Sequence, residues 1–117
     1  MATLEELNIL ESISYPQINY PLILVDYMGD HDGAIFLSRL LFSTSKRKDG
    51  FICKSRIEWQ YETRLSDYAI RKAMKTLKEK GVLETKLHLA YGAPTLHYRL
   101  DLPKLLGQLK DLFASQA

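Results

Sequence analysis

The stretch KSRIEWQYETRLSDYAIRKAMKTLKEKGVLET, residues 54–85, decides the fold of this chain. Ser55 followed by Glu58 has the spacing of a capping box, in which the serine oxygen accepts from the third following amide. A helix is therefore expected from Arg56 to Thr63, with Ile57, Trp59 and Thr63 turned inward. Leu65 falls at the turn, and Ser66 is the next N-cap. Behind it Ile70, Ala73, Met74 and Leu77 recur at the 3.6-residue period until Lys80-Gly81, a cation followed by a C′ glycine, which predicts a second helix over 67–80. Two helices joined by about three residues make a helix-turn-helix.

After Gly81 the period changes from 3.6 to 2. Leu83, Thr85, Leu87 and Leu89 share one face against Glu84, Lys86 and His88, and Leu96, Tyr98 and Leu100 alternate with His97 and Arg99. With a turn-rich loop at 90–95 between them, these segments predict an antiparallel hairpin with one wet face. Asp101 then caps a last helix with Pro103 in its first turn and an apolar stripe of Leu102, Leu105, Leu106, Leu109, Leu112 and Phe113. Upstream, Asp32 is the expected N-cap of a helix whose apolar face is Ala34, Ile35, Leu37, Leu40, Leu41 and Phe42. Phe51-Ile52-Cys53 is long enough only for a short strand, the 22–28 segment reads as a short helix, and Thr3 with Glu6 marks a helix near 3–12.

Helix, short strand, helix, turn, helix, hairpin is the element order of a winged helix-turn-helix. The expected fold is α+β, mainly α with a C-terminal β-hairpin wing and extra N- and C-terminal helices. One domain is expected over 1–117: an N-terminal extension at 1–29, a winged-helix core at 30–101 and a C-terminal helix at 102–117. The quoted stretch also resembles the winged-helix domains of phage and plasmid replication-initiator proteins. Trp59, Leu65-Ser66, Arg71-Lys72 and Lys80-Gly81-Val82-Leu83 occupy the places of that group's recurring pattern, and GAIFLSRLLF at 33–42 is similar to its first helix. The sequence departs from the pattern at Thr63 and Arg64. The resemblance covers about residues 30–101 and implies a DNA-binding protein of a mobile element, acting in replication initiation or transcription regulation.

Charge patterning agrees with a polyanionic partner. The formal charge of the 117 residues is only +2, but residues 1–40 set one cation, Arg39, against six acids, whereas 41–117 carry fifteen cations against eight acids. The face bearing Arg71, Lys75 and the hairpin is thus expected to be positive, with region 1–32 lying away from DNA. Cys53 is the single cysteine, which excludes an intramolecular disulfide and fits a cytoplasmic protein. The longest apolar run, Leu22 to Val25, is far short of the ~20 residues a bilayer requires, and the acidic N-terminus has no basic signal-peptide region.

The second helix of the pair is the sharpest functional feature. Arg71, Lys75 and Lys78 fall on its outer side, flanked by Tyr68 and Lys72. Arg71 suits bidentate contact with guanine, and Lys72, Lys75 and Lys78 suit phosphate. Lys54, Ser55, Arg56 and Ser66 add helix-start contacts, and Lys86, Tyr91 and Arg99 add the wing. Lys46-Arg47-Lys48 is a candidate extension of this patch, and Asp67 reads either as a helix-start charge or as an acceptor for a cytosine amino group. Duplex DNA is the favoured partner; single-stranded DNA, or a replication protein docked on an interaction module, is the alternative. Leu105, Leu109, Leu112 and Phe113 form a candidate homodimer interface, as an alternative to packing within the chain. No enzyme, metal site or cofactor is expected, because His31, His88 and His97 are scattered, Cys53 has no adjacent acid-base partner, and phosphate-loop and GxSxG motifs are absent.

Overall fold

The computed structural model describes residues 3–6, 8, 18–44, 51–90 and 92–116. At the N-terminal end, the Glu6 amide donates to Thr3 Oγ1 at 3.2 Å and the Thr3 amide to Glu6 Oε2 at 3.4 Å, the reciprocal pair of a capping box. Residues 4–6 are helical. The remaining elements are α1 (Leu22–Met28), α2 (His31–Thr44), β1 (Phe51–Cys53), α3 (Arg56–Thr63), α4 (Asp67–Glu79), β2 (Leu83–Ala90), β3 (Ala93–Leu100) and α5 (Leu102–Ser115). They make an α+β fold in which the three strands form one antiparallel sheet, ordered β1-β3-β2.

Local chemistry sets the helix starts. Ser55 and Ser66 cap α3 and α4, each accepting from the third following amide at 3.1 Å. Asp101 does the same for α5. The cap of α2 is Asp30 rather than the expected Asp32: its carboxylate accepts the Gly33 amide at 2.7 Å, and Gly29, at φ 90°, ends α1 immediately before it. The α1–α2 junction is therefore a glycine followed directly by a capping aspartate.

Trp59 anchors the core. Its ring is fully buried, 4.6 Å from Phe36 of α2 and 5.6 Å edge-on to Tyr98 of β3, so one side chain joins three elements. Around it pack Leu37 and Leu40 of α2, Ile70, Ala73 and Leu77 of α4, and Ile52 of β1. The same cluster takes in Leu24, Tyr27 and Met28 of α1 and Leu105 of α5.

Three apolar expectations fail for geometric reasons. Ile57 is 77% exposed because it lies on the outer side of α3, two residues from Trp59 and so about 200° round the helix. Phe42 is exposed and has the Arg39 guanidinium over its ring, while Phe36 takes the buried place on α2. Leu87 and Leu89 stay exposed although Leu83 of the same face is buried, because the hairpin continues to the Ala90–Ala93 pair and the broad 90–95 loop contracts accordingly.

Helix α5 lies against α1. The Tyr27 hydroxyl donates to Gln108 Oε1, Gln108 Nε2 donates to the Lys80 carbonyl at 3.0 Å, and Gln116 Nε2 donates to Asp26 Oδ2 at 3.0 Å. Of the candidate dimer-interface residues, Leu105 is 1% exposed, and Leu109 and Leu112, partly buried, pack against the core of the same chain. Of the four, Phe113 alone is fully at the surface, 68% exposed. No helix among the described residues is long and apolar enough to cross a membrane.

Candidate functional site

The site is the corner where α3 hands over to α4. Arg64 occupies the left-handed region at φ 59°, a conformation that glycine or asparagine adopts more readily, and its amide donates to the Gln60 carbonyl at 2.8 Å. Thr63 stabilises this turn. Its hydroxyl donates to the Trp59 carbonyl at 2.6 Å and accepts the Leu65 amide at 3.2 Å. Thr63 and Arg64 thus build the turn: threonine supplies the hydrogen bonds, and the Arg64 guanidinium lies 4.7 Å over the Tyr61 ring.

Helix α4 has two unlike sides. Ala69, Ile70, Ala73, Met74 and Leu77 are buried, whereas Tyr68, Arg71, Lys72, Lys75 and Lys78 face solvent, Tyr68 being 76% exposed. Arg71, Met74, Lys75, Lys78 and Glu79 surround a shallow depression of about 440 Å³. Among the described residues no ion pair or hydrogen bond engages the Lys75 or Lys78 side chain. Lys72 pairs with Asp30 at 3.2 Å. That contact corrects the expectation that the acidic 1–32 region lies away from this face: the cap of α2 sits at its edge.

Asp67 is the contact that sequence reading missed. Its carboxylate lies between two guanidiniums, with Arg56 Nε 2.8 Å from Oδ1 and Arg71 Nε 2.9 Å from Oδ2. It joins the first turn of α3 to the first turn of α4. The i,i+4 spacing of Asp67 and Arg71 was a visible signal for half of this bridge. The Arg56 half spans the turn and depends on its geometry.

Several predicted contacts lie elsewhere. Lys54 is only 12% exposed: its ammonium donates to Ser43 Oγ at 2.7 Å, pairs with Glu62 and lies 4.5 Å over the Trp59 ring. Arg39 reaches the same carboxylate at 2.9 Å. Burial alone would raise the Glu62 pKa, but the hydrogen bonds and charges of Arg39 and Lys54 outweigh it and hold the carboxyl below its ordinary 4.5. Lys54 is thus a structural cation, and the Ser55 and Ser66 oxygens are occupied as caps.

The hairpin cations also point away from α4. Lys86 and Arg99 sit on the sheet face opposite the core, over the Phe51 ring at 3.9 and 5.3 Å. His88 and His97 share that face, their ring centroids 5.6 Å apart. Among the described residues no three His, Cys, Asp or Glu side chains are grouped to hold a metal ion. Tyr91 and the Lys46-Arg47-Lys48 run lie outside the described residues.

A second concavity, about 900 Å³, opens between α2, α3 and residues 18–20, where Ile35, Ile57 and Tyr61 meet Arg39, Glu62 and Arg64. Set beside known proteins, the chain matches no family model, no curated protein and no solved structure.

Proposed function

We propose that this chain is a winged helix-turn-helix protein that binds duplex DNA, with α4 in the major groove and the hairpin as the wing. The observation that carries the reading is the two-sided character of α4: Ile70, Ala73 and Leu77 fix one side in the core, so the cations on the other side are presented on a rigid element. A helix about 10–12 Å across fits a groove about 12 Å wide, and the 13 residues of α4 span ~20 Å. Tyr68 and Arg71, in the first turns, then lie nearest base edges, with Lys75 and Lys78 nearer phosphate. The resemblance to replication-initiator domains supports a role in replication initiation or transcription regulation for a mobile element.

Titration of duplex DNA against protein over a range of salt concentrations tests the proposal. Four phosphate contacts, from Arg56, Lys72, Lys75 and Lys78, give log K a slope of about −3.6 against log salt at ~0.9 per contact. The double variant Arg71→Ala, Lys75→Ala should bind more weakly and flatten the slope by ~1, or by ~2 if Arg71 also contacts phosphate. Unchanged affinity and slope would refute the groove assignment. A second reading, an interaction module docking a replication protein, is favoured by the exposed Ile57 and Tyr61 at the larger concavity. Under that reading the same titration shows no duplex preference, and stacking on Tyr68 would favour single strands.

A further inference from the structure

We infer that Asp67 is a specificity-determining positioning residue: it orients the guanidinium of Arg71 for base recognition, and that of Arg56 beside it for phosphate, while lowering affinity for DNA in general. The inference rests on the groove reading of α4 and concerns what the acidic side chain does there. An aspartate at the first turn of a DNA-facing helix is costly for phosphate contact, since it brings negative charge towards a polyanion. The helix start does not require it as the cap, because the Ser66 oxygen already accepts the Ala69 amide at 3.1 Å.

The geometry gives the carboxylate another task. It meets Arg71 through Nε, at 2.9 Å, and among the described residues nothing engages the two terminal nitrogens of that guanidinium, which form an open fork. Arg56 Nε lies 2.8 Å from Oδ1 as an ion pair and its Nη1 donates to the other carboxylate oxygen at 3.5 Å, so among the described residues its Nη2 makes no contact with the carboxylate. Both arginines are substantially exposed, 45% and 62% at the side chain, so without this tether each would sample many rotamers. A guanidinium fixed at Nε retains the planar fork that matches the O6 and N7 of guanine, and less ordering remains to be done on binding. The triad of two guanidiniums and one carboxylate carries a net charge of +1, so it still attracts DNA but less than two free arginines would. Geometry favours the correct base while the lowered charge weakens every sequence alike.

The test uses the full chain and two probes: the duplex most enriched by selection from a random duplex pool, and a scrambled duplex of the same length and composition. Asp67→Asn should bind the scrambled duplex several-fold more tightly than the wild type, while the ratio of the two affinities falls by about tenfold. Arg56→Gln, which alters the triad without touching α4, should also lower the ratio, but with weaker binding to the scrambled duplex. Circular dichroism and thermal unfolding confirm that each variant folds. If one does not, the other still decides, because each predicts a fall in the ratio. A purely electrostatic or capping Asp67 shifts both affinities by one factor, and an unchanged ratio would overturn the inference alone. Failure of the wild type to discriminate any duplex would overturn the groove reading and this inference with it.

Discussion

Replacing Glu62 by glutamine should destabilise the fold through charges left behind in the core rather than through lost volume. The carboxylate is about a quarter exposed and accepts from Arg39 at 2.9 Å and from Lys54, whose side chain is 12% exposed. Removing one member of a fully buried pair costs ~3–5 kcal/mol, because its partner keeps its desolvation penalty without compensation. Here water reaches the carboxylate, the glutamine oxygen can still accept one hydrogen bond, and Lys54 keeps Ser43 Oγ and the Trp59 face. The expected loss is roughly 2 kcal/mol at pH 7. With a urea dependence of about 1.5 kcal/mol per M, the midpoint should fall by ~1.3 M. The pH profile supplies a second reading. Since the folded pKa of Glu62 is below 4.5, its contribution is present above that value and is lost as pH falls through the folded pKa. Wild type and variant should therefore converge in acid. A loss under ~0.5 kcal/mol at pH 7, the range of an exposed ion pair, together with parallel pH profiles would refute the assignment of a core charge cluster.

The same geometry makes four further outcomes testable. Lys54→Ala should cost ~1–3 kcal/mol in urea unfolding yet leave the salt slope of duplex binding unchanged; a slope flatter by ~0.9 would mean that Lys54 leaves Glu62 to contact phosphate. Gly81→Ala should cost ~1–2 kcal/mol by calorimetry, because Gly81 holds φ 75° after α4, where a Cβ is strained. Ile57→Ser should change the unfolding free energy by no more than ~0.5 kcal/mol, as suits a 77% exposed side chain; a loss above ~2 kcal/mol would return Ile57 to the core. Leu77→Ala, at a fully buried position on α4, should lose ~2–5 kcal/mol in urea unfolding, against near-neutral Phe113→Ala.

Much of the fold was legible because periodicity and caps act locally. The change of period at Gly81 located the end of α4 and the start of the hairpin, and Ser55, Ser66 and Asp101 marked helix starts that the structure retains. Errors arose where tertiary packing ranked residues of like character. Ile57 and Trp59 are both apolar, but a helix of eight residues cannot turn both to the same side, and the larger ring took the interior. Leu87 and Leu89 alternate as faithfully as Leu83. Alternation reports which face a residue shares, not how far along the strand the neighbouring helices extend.

The candidate site was legible as a face of α4, but its charges could not be ranked from the sequence. A basic residue contributes to a binding surface only as far as its charge is not already met within the fold. Asp30, Glu62 and Asp67 carry out that subtraction. Glu62 engages Arg39 and Lys54 outright, Asp30 holds Lys72 to one edge, and Asp67 meets Arg71 through Nε and Arg56 through Nε and Nη1. The acids nearest α4 therefore determine what this corner presents: Lys75 and Lys78 with no ion pair among the described residues, Arg71 on α4 and Arg56 on α3 beside the Asp67 carboxylate. An α4 face with the same cations but without Asp30 and Asp67 would attract a polyanion more strongly while orienting its arginines less, so affinity and discrimination are expected to oppose one another at this corner.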